Sequence, residues 1–135
     1  MSSPGASPTD AVPARRVLVA EDEALIRLDL AEMLRDEGYE IVGEAGDGQE
    51  AVDLAESLRP DLVIMDIQLP HVSGIDLIGQ LKADPALAGV PVLAVTAYAG
   101  KGDEERIRDA GAADYLAKPV SIGPFMAAVK ALLPD

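Results

Sequence analysis

The sequence predicts an α/β protein with a doubly wound, five-stranded parallel sheet between layers of helices. Short aliphatic segments alternate five times with longer segments of helical periodicity. Several of the short segments are apolar on both faces, as expected of parallel strands that helices cover on each side. Strand–helix–strand units of this length connect parallel strands through right-handed crossovers. Because ligands of such sheets bind beyond the carboxyl ends of the strands, functional side chains are expected there.

The predicted strands are rich in aliphatic and β-branched residues. They cover, in chain order, residues 17–20, 41–42, 62–65, 92–95 and 115–117. The predicted helices that follow them cover residues 24–37, 47–58, 73–81, 103–110 and 121–133. In the first helix, Leu25, Leu28, Ala31 and Leu34 are spaced near one face, which predicts that this face packs on the sheet.

Capping and helix-breaking residues define the predicted helix ends. Asp47 and Glu50 are typical of a capping box, with Asp in place of Ser or Thr. That helix should end before Pro60, because a residue that precedes proline disfavours the helical conformation. Ser73 is a predicted cap of the third helix. Gly111 is expected to end the fourth helix.

Length and composition exclude several classes of function. The chain has 135 residues, no Cys and one His, which excludes a thiol nucleophile and a Cys-based zinc site and disfavours a His-rich metal centre. A net charge of −13 predicts no direct binding to nucleic acid. No apolar run approaches the ~20 residues that span a bilayer, and no signal peptide is recognisable, so we expect a cytoplasmic protein without membrane contact. The Pro- and Ser-rich residues 1–14 predict a disordered tail before a domain at 15–135.

Polar residues follow four of the predicted strands. They are Glu21 and Asp22 after the first, Asp66 after the third, Thr96 after the fourth, and Lys118 after the fifth. Carboxylates that lie close together repel each other, so such a cluster is typical of a bound cation. Magnesium fits best, because it takes oxygen ligands and leaves positions for phosphate. A lysine and a hydroxyl suit the remaining oxygens of a phosphoryl group.

Each of these residues has a simpler explanation when it is considered alone. Asp22 is typical of a helix cap and Asp66 of a turn. Thr96 is an ordinary strand-end residue, and Lys118 an ordinary surface charge. Their coincidence at one predicted edge of the sheet favours phosphoryl chemistry over these explanations.

Four motifs carry a resemblance to a known family. They are VLVAEDE, LVIMDIQLPHVSGIDL, PVLAVTA and YLAKPV. In this order and spacing they resemble the receiver domain of two-component response regulators, over residues 15–135. Up to about Met65 the chain is similar to receivers of antitermination regulators, and beyond it to single-domain cell-cycle receivers. The resemblance implies the (βα)5 flavodoxin-like receiver fold.

The resemblance also implies the roles of the residues that would bind metal and phosphate. Asp66 would accept a phosphoryl group from a histidine kinase or a histidine phosphotransfer protein. The side chains of Asp22 and Asp66 and the backbone carbonyl of Gln68 would bind Mg²⁺, and Glu21 would act mainly through metal-bound water. Lys118 would pair with the phosphoryl group.

The remaining implied residues concern the response to phosphorylation. Thr96 would turn its hydroxyl onto the phosphate, and Tyr115 would change rotamer with it. The peptide bond before Pro119 is expected to be cis. A downstream protein partner would bind the face formed by the fourth helix, the fifth strand and the fifth helix. Gln68 and Tyr98 occupy two variable positions that tune the lifetime of the phosphoryl group.

Other readings of the same residues differ in function. A haloacid-dehalogenase-type phosphatase needs a second Asp where this chain has Gln68. A flavodoxin-like electron carrier needs a phosphate-binding loop, whereas the segment at 21–23 is acidic and would repel flavin phosphate. A receiver domain that is not phosphorylated is a further alternative. We therefore expect a signalling module that catalyses only its own phosphorylation and dephosphorylation. It is expected to be a stand-alone receiver, with a fragment of a longer response regulator as the alternative.

Overall fold

Five strands and five helices alternate along the chain in a computed structural model that describes residues 14–69, 73–97 and 101–133. The strands are β1 Arg16–Ala20, β2 Glu40–Ala45, β3 Leu62–Asp66, β4 Val92–Thr96 and β5 Asp114–Ala117. The helices are α1 Ala24–Asp36, α2 Gly48–Leu58, α3 Gly74–Ala83, α4 Lys101–Ala110 and α5 Ile122–Leu132. The predicted alternation is confirmed. Residues 1–13 of the predicted tail lie outside the described residues.

All neighbouring strands pair in parallel, in the order β2-β1-β3-β4-β5. This order confirms the predicted doubly wound sheet. Asp66, the last residue of β3, pairs with Val95 of β4, and Thr96 pairs with Ala117 of β5. The register therefore places the carboxyl ends of the three strands side by side. Every residue of β3 and β4 is buried, as expected of central strands with helices on both faces.

The sheet separates two aliphatic core clusters. Alternate strand residues point to opposite faces, so Val17 and Val19 belong to one cluster while Leu18 and Ala20 belong to the other. The first cluster, with α1 and α5, is called here the α1–α5 layer, and the second, with α2, α3 and α4, the α2–α4 layer. Phe125, the only Phe of the chain, is fully buried in the α1–α5 layer.

The predicted inward face of α1 is partly wrong. Leu25 and Leu28 are 78% and 45% exposed, whereas Leu30 is 2% exposed. Leu30 follows Ile26 by four residues and precedes Leu34 by four, and this spacing forms the stripe that packs on the sheet. Ala31 and Leu34 are buried as expected. The chain offers leucines on more than one side of this helix, and spacing alone did not identify the buried side.

Two predicted caps are present, with one difference in geometry. The Glu50 N–H donates to Asp47 Oδ1 at 2.8 Å, and the Ile75 N–H donates to Ser73 Oγ at 3.2 Å. The Glu50 carboxylate, however, accepts from the Gly46 N–H at 2.8 Å, one residue before the position that a capping box uses. At α1 the N-cap position is Glu23, without a side-chain hydrogen bond. Asp22 is therefore not the cap of this helix.

The α2 helix ends in a strained conformation. Arg59 has φ 48° and ψ 65°, the left-handed region that favours glycine. We expect Arg59→Gly to raise the free energy of unfolding by about 0.5–1 kcal/mol relative to Arg59→Ala, because only glycine removes the Cβ strain. Urea denaturation of the two variants measures this difference, and equal stabilities would contradict the strain argument.

Candidate functional site

Three carboxylates meet at the carboxyl edge of the sheet. Glu21 directly follows β1 and is 1% exposed, and Asp66 ends β3 and is 2% exposed. Asp22 is exposed beside them. One carboxylate oxygen from each residue lies within 4.8 Å of the others. The structure therefore brings together the acidic cluster that the sequence predicts, with two of its members buried.

Lys118 provides the positive charge of this cluster. Its Nζ lies 2.8 Å from Glu21 Oε1 and 3.2 Å from Asp66 Oδ2. The Lys118 N–H donates to the Thr96 carbonyl at 2.8 Å, which fixes the end of β5 against β4. The peptide bond between Lys118 and Pro119 is cis. One ammonium group therefore bridges two buried carboxylates across the edge of the sheet.

Backbone groups hold the carboxylates in place. The Glu23 N–H donates to Glu21 Oε2 at 3.0 Å, and the Gln68 N–H donates to Asp66 Oδ1 at 2.9 Å. The Arg27 guanidinium donates to the Glu21 carbonyl at 2.8 Å and also lies 3.4 Å from the Glu44 carboxylate. The loop after β1 is thus tied to α1 and β2, so the position of Glu21 depends on packing as well as on charge.

Burial and charge shift the protonation of two groups in the cluster. Burial raises the pKa of Glu21 from 4.5 to about 7, against the opposing effects of the Lys118 ammonium and the Glu23 N–H. Burial alone would lower the pKa of Lys118, but the Glu21 and Asp66 carboxylates outweigh this effect and raise it. Lys118 therefore stays charged at neutral pH, while Glu21 exchanges a proton near pH 7.

The raised pKa of Glu21 predicts a pH-dependent stability in EDTA. The folded carboxyl group binds a proton more readily than the unfolded one. The ionised Glu21 side chain therefore destabilises the folded state, and this destabilisation is complete above about pH 7. The effect diminishes as the pH falls from about 7 to 4.5. We expect Glu21→Gln to be more stable than wild type at pH 8, by at most about 3 kcal/mol, and this advantage should shrink at pH 5. Urea unfolding of both proteins at the two pH values measures it, and a difference independent of pH would contradict the assignment.

Thr96 is 1% exposed at the end of β4 and contacts the side chain of Gln68. Gln68 Nε2 donates to Thr96 Oγ1 at 2.9 Å, and the Ala97 N–H donates to Gln68 Oε1 at 3.2 Å. The sequence singled out Gln68 for its backbone carbonyl and its position at the rim, and did not predict these two side-chain hydrogen bonds. The sequence feature that could have indicated these bonds is a Gln side chain two residues after Asp66, on the loop that faces β4.

Tyr115 is half-buried on β5 and is linked to α4. Its hydroxyl donates to Glu104 Oε1 at 3.0 Å, which is the main reason that its pKa is raised. The Arg108 guanidinium lies 5.4 Å from the centre of the Tyr115 ring. Arg108 also pairs with Glu104 at 3.1 Å and with Asp114 at 3.2 Å. The sequence predicted Tyr115 but neither of its partners on α4. Tyr98 lies outside the described residues.

A cavity of about 390 Å³ opens beside Gln68 and Thr96. It lies between the start of α3, with Ser73 and Ile75, and the inner side of α4, with Ile107.

Among the described helices, none is long and apolar enough to cross a bilayer.

Comparisons with known proteins agree with this arrangement. The response regulator receiver domain family matches residues 17–130. The transcriptional regulatory protein PdtaR of Mycobacterium tuberculosis strain H37Rv is 56% identical over 130 residues, which cover 96% of this chain and 62% of that protein. The polar-differentiation response regulator DivK of Brucella anthropi is 45% identical over 121 residues, which cover 90% of this chain and 98% of that protein.

Solved structures extend the likeness to the fold. The chemotaxis response regulator CheY4 of Vibrio cholerae superposes with a TM-score of 0.82 at 25% identity, over 88% of this chain and 98% of that one. The sheet order, the acidic edge and the match over most of the sequence lead to one conclusion. The chain belongs to the receiver domain family of two-component response regulators.

Proposed function

We propose that the chain is a phosphorylation-controlled signalling module in which Asp66 accepts a phosphoryl group. One observation carries this proposal. Asp66 is buried at the carboxyl edge of the sheet, with the Lys118 ammonium 3.2 Å from one of its oxygens and the Gln68 N–H 2.9 Å from the other. A carboxylate becomes a competent nucleophile when it is oriented and when charge on the incoming group is neutralised.

The proposed transfer starts from a phosphohistidine of a histidine kinase or a histidine phosphotransfer protein. An oxygen of the Asp66 carboxylate forms a bond to phosphorus, and the bond from phosphorus to the imidazole nitrogen breaks. The electron pair of that bond leaves with the imidazole. Lys118 places a positive charge where the phosphoryl oxygens arrive, and the Gln68 N–H keeps the carboxylate from rotating.

The acidic cluster fits Mg²⁺. All its side-chain donors are oxygens, and the buried Oε1 of Glu21 accepts no hydrogen bond from the described part of the chain, although Lys118 pairs with it by charge. The side chains of Glu21, Asp22 and Asp66, with the carbonyl of Gln68, are the proposed ligands. When bound, Mg²⁺ would neutralise charge on the phosphoryl oxygens.

We further propose that phosphorylation acts through Thr96 and Tyr115 on the face formed by α4, β5 and α5. A downstream protein would bind this face, in the cytoplasm and without direct contact to nucleic acid or membrane. Charge supports the exclusion of nucleic acid, since the chain carries −13. The relatives support both a stand-alone receiver and a receiver within a longer regulator, because the chain spans 98% of DivK and 62% of PdtaR.

The test is phosphate incorporation from acetyl phosphate, measured by intact mass. We expect wild type to gain one phosphoryl group with Mg²⁺ and none with EDTA. Asp66→Asn should gain none under either condition, whereas Asp76→Asn, which changes an exposed aspartate on α3, should behave as wild type. Equal uptake by wild type and Asp66→Asn would overturn the proposal.

A further inference from the structure

We propose that Gln68 is a positioning residue that holds Thr96 and Ala97 in the arrangement of the unphosphorylated protein. Its side-chain amide binds Thr96 and the Ala97 N–H, and it must release both when Asp66 is phosphorylated. The inference rests on the proposed function, since it concerns what phosphorylation has to displace. It assigns to the Gln68 side chain a role separate from that of its backbone carbonyl.

The hydrogen-bond partners define how the amide is oriented. The Ala97 N–H can only donate, so the atom that faces it at 3.2 Å must be the side-chain oxygen of Gln68, Oε1. The amide nitrogen then faces Thr96 Oγ1 at 2.9 Å and donates to it. One side chain therefore connects the loop after β3 with the end of β4 through two hydrogen bonds.

Gln68 is also tied to the phosphoacceptor. Its backbone N–H donates to Asp66 Oδ1 at 2.9 Å, so the residue that holds β4 also holds the carboxylate. A phosphoryl group on Asp66 would bring three charged acceptor oxygens to this loop. Hydrogen bonds to charged acceptors are roughly twice as strong as those to a neutral amide. The Ala97 N–H would therefore exchange the side-chain carbonyl of Gln68 for phosphate, and the Thr96 hydroxyl, which accepts from the Gln68 amide nitrogen, would leave it to donate to phosphate.

The two side-chain hydrogen bonds of Gln68, called here the clamp, join an exposed residue to a buried one. Thr96 is 1% exposed, whereas Gln68 is exposed and can turn into solvent when it is displaced. The cavity of about 390 Å³ beside the two residues provides space for this movement. Without phosphate the clamp connects the loop after β3 to Thr96 and Ala97, which favours the resting state.

The first measurement uses the unphosphorylated protein in EDTA. Gln68→Met keeps the length of the side chain and removes both hydrogen bonds, and Gln80→Met is the matched control at an exposed position of α3. We expect hydrogen exchange of the Ala97 amide, followed by NMR, to become about five- to tenfold faster in Gln68→Met. Exchange of the backbone amide at position 68 should not change, because its acceptor, Asp66 Oδ1, remains. Gln68→Glu keeps an acceptor for Ala97 and should preserve the slow exchange.

The second measurement is the affinity for beryllofluoride with Mg²⁺, a mimic of the phosphoryl group. Because Gln68→Met has no clamp to break, it should bind roughly tenfold more tightly than wild type and Gln80→Met. If wild type binds beryllofluoride but Gln68→Met binds no more tightly, or if the Ala97 exchange is unchanged, the clamp is wrong while the proposed function stands. If wild type does not bind beryllofluoride at all, the proposed function fails and the clamp fails with it.

Discussion

Replacement of Gly74 with alanine should destabilise the protein by roughly 1–3 kcal/mol. A Cβ atom at this position would lie 2.5 Å from Ile67 Cα, 2.9 Å from the Ile67 carbonyl oxygen and 3.0 Å from the Asp66 carbonyl oxygen. These atoms belong to backbone, which cannot move aside as the end of a side chain can. The Gly74 N–H also donates to the Ile67 carbonyl at 3.0 Å, so the start of α3 is held against the loop of the phosphoacceptor.

The same helix contains a matched control. Gly79 is exposed on α3, and a Cβ there would meet nothing within 4 Å. Gly79→Ala should therefore stabilise the protein by about 0.5–1 kcal/mol through helix propensity, in the opposite direction to Gly74→Ala. Urea denaturation of the two variants tests both signs. If Gly74→Ala were as stable as wild type, the close approach between α3 and the loop after β3 would be incorrect. A variant that still folds should also take up less phosphate, because the Asp66 backbone must move.

Loss of the Lys118 ammonium should cost about 3–5 kcal/mol at pH 8 in EDTA, because it leaves Glu21 and Asp66 buried without a counter-charge. Lys118→Met keeps most of the aliphatic side chain and removes only the charge. Lys130→Met is the control. Lys130 pairs with Glu37 at 3.1 Å, but both side chains are exposed, so its loss should cost less than about 1 kcal/mol.

The loss in Lys118→Met should also depend on pH. Without the ammonium the pKa of Glu21 should rise further, because burial still raises it and the larger of the two effects that lower it is lost. The folded variant then binds a proton that the unfolded chain does not bind, so its stability recovers as the pH falls from 8 toward 5. Denaturant unfolding across this range measures the recovery. A deficit of the same size at pH 8 and pH 5, or one no larger than that of Lys130→Met, would show that the bridge between the carboxylates is not important.

The architecture was predictable because it depends on local patterns. Alternating apolar and helical segments establish the five strands and five helices, and a parallel sheet then brings the strand ends together. The pattern therefore predicts that Glu21, Asp66, Thr96 and Lys118 lie at one edge, where the structure has them. The buried face of α1 was not predictable in the same way, because Leu28 and Leu30 are chemically equal and only the contacts with the sheet decide which one is buried.

The side-chain contacts between separate elements were the least predictable part of the site. The contact of Gln68 with Thr96 joins residues that are 28 positions apart, and that of Tyr115 with Glu104 joins residues 11 apart. Neither follows from a spacing rule, because the contacting side chains belong to different elements whose relative positions the sequence pattern does not define. The residue types indicated only that each side chain needs a polar partner. The identity of that partner comes from the packing of α3 and α4 on the sheet.

The division of the interior by the sheet has a consequence for how substitutions combine. Leu34 packs in the α1–α5 layer and Leu81 in the α2–α4 layer, and the two belong to separate clusters. Their coupling energy in a double-mutant cycle should therefore be close to zero, so the two losses add. Leu30 and Leu34 lie in the same layer, so the stability losses of their substitutions should not add. Sequence drift on one side of the sheet can then proceed without compensation on the other.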